Sequence, residues 1–144
     1  MPIPTDYPAQ GKVTKLTADG VIFAPTNTNY LLNLQTLAPY TGPVNQPIAA
    51  FIRAKARKIY TVPSGGGFVA PIFGPPRTIQ GRAVYVDDST VVIRAGVTVI
   101  VEIPTSDSGI DLAVGPVAVG SLVNAVALPG VTFELAPTPA IASL

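Results

Sequence analysis

A cluster of cations is the part of the sequence with the clearest potential to bind a ligand. Four basic and two aromatic residues fall close together: Phe51, Arg53, Lys55, Arg57, Lys58 and Tyr60. On the face of a small barrel, cations that follow the phosphates and rings that stack on the bases hold single-stranded nucleic acid. A solvated strand face with its rings packed at the sheet edge would explain the same residues without a ligand. The pI of about 8.0 is low for a dedicated nucleic-acid binder.

Carboxylates are the other residues that could support chemistry. Asp87 and Asp88 are adjacent, and Asp107 and Asp111 lie close in sequence. A metal site or catalytic dyad would need such groups to converge with further oxygen ligands in one cleft. The Asp87-Asp88 pair falls where a hairpin turn is expected, which accounts for it without a function. The consecutive glycines 65–67 lack the lysine and following helix of a phosphate-binding loop.

Composition excludes most enzymatic chemistry. The 144 residues include no Cys and no His, which removes disulfides, thiolate metal sites, Cys nucleophiles and His general bases. We therefore predict a protein that is not an enzyme, with no catalytic residues, no cofactor and no metal. Residues 1–12 do not resemble a secretory signal, and Gly and Pro interrupt the apolar stretch 112–133, so we expect cytoplasmic synthesis and no membrane partner.

The two halves of the chain carry matching patterns. Residues 42–62 align with residues 115–135 without a gap, and both segments open on Gly-Pro-Val. Further matches lie upstream of these segments. Gly11-Lys12 aligns with Gly81-Arg82, and residues 21–23 align with residues 91–93. Leu31, Leu32 and Leu34 align with Ile100, Val101 and Ile103. Because the matches keep the same order along both halves, they indicate an internal duplication.

The duplication decides between two interpretations of residues 48–60. Alone, this stretch of Ala, Lys and Arg is typical of a basic amphipathic helix. Its partner segment has β-branched residues around Pro129-Gly130, which favours a strand, a turn and a strand. We therefore predict strands at 49–55 and 58–62 joined by a turn at Ala56-Arg57.

We call this predicted element the basic hairpin 51–60. Alternation places every second residue from Ala50 to Ala56 inward and every second residue from Phe51 to Arg57 outward.

About five short strands per half predict an all-β protein made of two tandem, internally duplicated small β-barrels of the OB or SH3-like type. The predicted organisation is an extended arm at 1–10, a first barrel at 11–62, a Gly/Pro-rich linker at 63–80, a second barrel at 81–135 and an extended arm at 136–144.

Because the arms and linker are proline-rich and apolar, we expect them to supply assembly contacts. The candidate contact residues are Pro2, Ile3, Pro4, Tyr7, Phe68, Val69, Ile72 and Phe73.

Charge is divided unevenly along the chain although the formal net charge is only +1. Positions up to Arg77 carry seven basic and two acidic residues, whereas positions from Thr78 onward carry two basic and six acidic residues. One explanation is a head-to-tail contact between barrels of opposite sign, which closes a ring of copies. The other is drift in surface charge without function.

In composition and architecture the chain resembles the decoration, or cement, proteins of tailed-phage heads. Those proteins are small, nearly helix-free, rich in Pro and Ala, free of Cys, and extended at one terminus as residues 1–10 would be. No specific motif carries the resemblance, and the duplication departs from the smallest members. It implies a non-enzymatic structural assembly module, located in the virion, that contacts other protein chains.

Those partner chains would be further copies, in a homo-oligomer such as a trimer, or a capsid-like lattice. The alternative function is an OB-like single-stranded nucleic-acid-binding protein that uses the basic hairpin, or a face for an acidic partner.

Overall fold

The computed structural model describes residues 7–87, 89–103, 110–111 and 117–136. These residues are all-β, as predicted, with no helix among them. In chain order the strands are β1 (Ala9–Leu16), β2 (Gly20–Pro25), β3 (Leu31–Gln35), β4 (Ile48–Thr61), β5 (Phe68–Ala70), β6 (Phe73–Gly74), β7 (Thr78–Val86), β8 (Thr90–Arg94), β9 (Thr98–Glu102), β10 (Ile110–Asp111), β11 (Leu122–Ala127) and β12 (Thr132–Leu135). The described part of the chain contains no helix that is long and apolar enough to cross a membrane.

All the strands belong to one mixed sheet with β4 at its centre. Along one edge, β4 pairs in turn with β1, β9 and β10, and along the other edge it pairs with β12 and β11. The pairing closes on itself twice. One circuit runs β1-β2-β3-β12-β4, and the other runs β7-β8-β9-β4-β11. Each circuit therefore combines strands from both halves of the sequence, and β4 belongs to both.

The predicted turn at Ala56-Arg57 is wrong, because β4 continues through it as a single strand of 14 residues. Ala56 and Lys58 face consecutive residues of β11, so Arg57 is an extra residue in the ladder. Such a β-bulge shifts the alternation of side chains by one position. Ala56 and Ile59 are both buried, while Arg57 and Lys58 are both exposed. The basic hairpin is thus a bulged strand.

The first three strands of each circuit repeat the same register. Val13 faces Phe23 and Lys15 faces Ile22, which leaves Thr14 as a bulge. In the second half, Ala83 faces Ile93 and Tyr85 faces Val92, which leaves Val84 as the equivalent bulge.

The third strands correspond in a different register from the one predicted. Leu34 faces Val21 as Val101 faces Val91, so Leu34 corresponds to Val101 rather than to Ile103. Two residues of displacement preserve which face each side chain occupies, so the sequence pattern fits either register.

The inward faces of both circuits form one continuous apolar core. It includes the predicted inward residues of β4, Ala50, Ile52, Ala54 and Ala56. A smaller cluster lies on the opposite face of the sheet, where Phe51, Val92 and Ile100 are covered by Tyr7, Val84, Tyr85 and Ala136. Phe51 therefore points away from the main core as predicted, but it is only 7% exposed.

Candidate functional site

The predicted cations of β4 lie on one side of the sheet and differ in their surroundings. We call Arg53, Lys55, Arg57 and Lys58 the basic strip. Arg53 forms an ion pair of 3.2 Å with Glu134 of β12, and its guanidinium lies 5.6 Å from the centre of the Phe51 ring. Because its side chain is 41% exposed, this pair contributes little to stability. Phe51 is too buried to stack on a base.

The other three cations are more open to solvent. Lys55 is the register neighbour of Glu102 in the parallel β9, so a carboxylate lies on the same face of the adjacent strand. The bulge turns Arg57 and Lys58 outward together, and the Lys58 ammonium lies 5.4 Å from the centre of the Tyr60 ring. Arg57 and Lys58 are therefore the part of the strip with the best geometry to meet an anionic partner.

Two acidic residues of the second half lie in space among cations of the first half. Glu102 and Glu134 belong to the acidic half, yet both stand beside cations of β4. This mixing follows from the position of β4, which is shared by both circuits. Part of the opposite charge that a head-to-tail contact would use is already paired within one molecule.

Asp87 has a structural role in the turn between β7 and β8. Its carboxylate accepts hydrogen bonds from the Tyr85 hydroxyl at 2.7 Å and from the Ser89 backbone N–H at 2.8 Å. These contacts, led by the Tyr85 hydroxyl, lower the pKa of Asp87. The fold thus supports the prediction of a turn at this point.

The remaining predicted carboxylates give no site. Asp88 and Asp107 lie outside the described residues, and Asp111 lies in β10. Across residues 7–87, 89–103 and 117–136, no group of three His, Cys, Asp or Glu side chains could hold a metal ion.

The predicted linker is folded onto the sheet. Its apolar residues differ in burial, because some point into the core and others point to the surface. Val69 of β5 is buried in the main core, 1% exposed, so it is wrong as a contact residue. Its N–H donates to the Tyr30 hydroxyl at 3.1 Å. Phe68 is more exposed because neighbouring residues of a strand point to opposite faces.

Ile72 and Phe73 stand on the surface next to Leu31 of β3. Leu31 and Phe73 are register neighbours in the parallel pair of β3 and β6, and the Leu31 N–H donates to the Ile72 carbonyl at 2.8 Å. The three side chains are 40%, 46% and 59% exposed for Leu31, Ile72 and Phe73. We call these three residues the linker patch.

The predicted arm contacts are described only at Tyr7. Its ring centre lies 6.2 Å from that of Tyr85, over the smaller apolar cluster. Pro2, Ile3 and Pro4 lie outside the described residues.

A groove that the sequence analysis missed lies beside β12. Residues 36–42 form one wall and Thr132–Leu135 the other, enclosing about 430 Å³. Leu37 on the first wall is 97% exposed, and Leu135 on the second is 38% exposed. The only sequence signal was a leucine within a polar, proline-containing connection, which alone points to no particular function.

Comparison with known proteins gives no match, whether to a family model, to a curated protein or to a solved structure.

Proposed function

We propose that the protein is a non-enzymatic structural assembly module that joins copies of itself into a homo-oligomer through the linker patch. The class of assembly we propose is the one to which virion decoration proteins belong. The observation that carries the proposal is the linker patch: Leu31 and Phe73 are exposed register neighbours on paired strands, and the exposed Ile72 precedes β6 with its carbonyl bonded to the Leu31 N–H. Single exposed apolar residues are ordinary, whereas a contiguous group favours contact with another protein.

The backbone of the linker patch is held in place before a second copy binds. Leu31 and Phe73 are held by the ladder between β3 and β6, so their backbone positions are already fixed. Binding at an interface would therefore reduce only the conformational entropy of their side chains.

A second copy is the occupant best suited to the linker patch. The three side chains bear no charge, so two patches can meet without burying an unpaired ion. A formal net charge of +1 gives little repulsion between copies.

We further propose that the two circuits are small β-barrels that descend from one duplicated unit of about five strands. The shared register of β1–β2 and β7–β8, including equivalent bulges at Thr14 and Val84, supports this origin. Exchange of strands through β4 and β12 would then have fused the two copies into one sheet.

Light scattering coupled to size-exclusion chromatography tests the linker patch. The wild-type chain is expected to elute as an oligomer, and the double variant Ile72→Asp, Phe73→Glu as a smaller species that has lost the patch contact, with an unchanged circular dichroism spectrum. Val119→Glu is the matched control, because Val119 is 67% exposed and lies outside the patch. A wild-type chain that stays monomeric at every concentration would refute the proposal.

A second candidate function is binding of single-stranded nucleic acid by the basic strip, favoured by the outward orientation of Arg57 and Lys58. Retention on immobilised single-stranded DNA or RNA at ~50 mM salt should be lost at higher salt, since phosphate contacts release counterions. The variant Arg57→Glu, Lys58→Glu should abolish retention, while Lys12→Glu, with the change on β1, should preserve most of it. Equal retention of both variants would exclude the basic strip as the binding site.

A further inference from the structure

The groove beside β12 exposes part of a strand edge. β12 pairs with β4 from Thr132 to Leu135, but its other edge meets β3 only at Thr132, because β3 ends at Gln35. No described segment pairs with that edge beyond this point. Residues 36–42 instead bend away and form the opposite wall of the groove.

Two hydrogen bonds show which way the peptide groups of β12 point. The Val131 carbonyl accepts from the Gln35 N–H at 2.9 Å, on the β3 side, and the Ala136 N–H donates to the Ala49 carbonyl at 3.0 Å, on the β4 side. Because successive residues of a strand direct their peptide groups to opposite edges, Leu135 points to the same side as Val131. Its N–H and C=O therefore face the groove.

We propose that this groove receives residues 2–5 of a second copy as an added strand on the free edge of β12. The sequence Pro2-Ile3-Pro4-Thr5 suits one edge only, because in an extended strand the N–H groups of Ile3 and Thr5 point to one side. Pro2 and Pro4 have no N–H to direct to the other side. Such a strand pairs with β12 and presents an edge that does not continue the sheet.

The side chains that line the groove are suited to contact with an apolar strand. The Leu37 and Leu135 side chains line it, together with Pro39 and Tyr40. Ile3 supplies the one large branched side chain of the arm, which would cover these residues from water.

A second copy is required because Tyr7 places the start of the chain's own arm too far from the groove. Tyr7 packs on Tyr85 of β7, over the face formed by β4, β9 and β8. To reach the groove, the arm would have to cross β4 and β12 and then enter the next strand position, roughly 14 Å at about 4.8 Å per strand. That distance takes about four residues at ~3.3 Å each, which leaves too few of residues 1–6 to pair along β12.

The inference rests on the proposed assembly role, but it uses a surface different from the linker patch. Variants of the patch and variants of the groove can therefore fail independently.

Disulfide trapping tests the arm directly, because the chain has no cysteine of its own. Ile3→Cys and Leu37→Cys are prepared separately, mixed and oxidised, and the products are resolved without reductant. A covalent dimer of the two different variants is expected, with at least tenfold less when Val119→Cys, which is also on an exposed residue but outside the groove, replaces Leu37→Cys. Equal yields would overturn the proposal, as would a predominantly intrachain disulfide in the double variant Ile3→Cys, Leu37→Cys.

The edge of β12 is tested by a proline. Leu135→Pro removes the N–H that faces the groove, whereas Leu135→Ala shortens the side chain and keeps that N–H. Trapping between Ile3→Cys and Leu37→Cys should fall about tenfold when the second chain also carries Leu135→Pro, and should be largely retained with Leu135→Ala. Thermal unfolding confirms that each variant is folded, and if Leu135→Pro does not fold, the Ile3→Cys pairing alone decides. Equal trapping with both substitutions would refute strand addition.

Discussion

Gly11 and Gly81 occupy equivalent positions in β1 and β7, and neither position has room for a side chain. A Cβ on Gly11 would collide with the carbonyl oxygen of Ala24 in β2, and a Cβ on Gly81 would collide with that of Arg94 in β8. The obstacle in each case is backbone, which a rotamer change cannot move. The close approach of the paired strands therefore explains why glycine stands at both positions.

Replacing either glycine with alanine should destabilise the fold. We expect Gly11→Ala and Gly81→Ala each to lower the free energy of unfolding by about 2 kcal/mol, because the strands must separate to admit the methyl group. Urea denaturation monitored by circular dichroism measures the change.

Gly66→Ala is the control for this pair. A Cβ at Gly66 would meet no atom within 4 Å, so its effect should stay within about 0.5 kcal/mol. An equal loss of stability in all three variants would mean that the carbonyl contacts are not its cause.

Strand positions could be predicted from the sequence because alternation and turns are local signals. Ala50, Ile52 and Ala54 were predicted as inward residues of a strand, and all three are buried in β4. Strand partners could not be predicted in the same way. The choice of Gln35 as the neighbour of Thr132 depends on packing between segments far apart in the chain.

The bulge shows a second limit of the sequence pattern. Ala56, Arg57, Lys58 and Ile59 change the phase of alternation, and both a turn and an extra residue in the ladder produce that change. The aligned Pro129-Gly130 favoured a strand, a turn and a strand. In the structure β11 and β12 both run antiparallel to β4 and follow each other along the same edge of it, so the predicted hairpin is absent from the second half as well.

The linker patch could be predicted only in part, because the sequence pattern is local. The sequence singled out Ile72 and Phe73, which are exposed, but it grouped them with Val69, which lies in the core. The third member of the linker patch, Leu31, belongs to a strand far away in sequence, so no local pattern could join it to the other two.

The Tyr30 hydroxyl should contribute measurably to stability. It accepts from the Val69 N–H at 3.1 Å and donates to the Ala95 carbonyl at 3.3 Å, which ties the linker to the turn between β8 and β9. Tyr30→Phe leaves a buried N–H without its partner, so we expect a loss of about 1–2 kcal/mol. Faster hydrogen exchange at the Val69 amide would locate the effect, and Tyr60→Phe serves as the control on β4. Unchanged exchange at Val69 would contradict this role.

Stability should depend on the ionisation of Asp87 in acid. Because hydrogen bonds from Tyr85 and Ser89 hold the pKa of Asp87 below its ordinary 3.8, the folded state favours the carboxylate. This stabilisation is present above that value and is lost as the pH falls through the lower pKa of the folded state. Asp87→Asn should therefore lose less stability than the wild type as the pH falls below 3.8. Parallel pH profiles of the thermal midpoint would show that Asp87 does not contribute.

The two circuits should unfold together, because β4 is a member of both and β12 completes the first circuit with residues of the second half. Ile52 and Ile59 lie on β4 beside β12 and β11 respectively, and each is 1% exposed in the same core. We expect Ile52→Ala and Ile59→Ala each to cost about 2–5 kcal/mol, since each leaves a cavity in that core. Hydrogen exchange should report the same loss of protection in β2 and in β8 for either variant. A transition in two steps, or protection lost in one circuit only, would show instead that the halves fold as separate units.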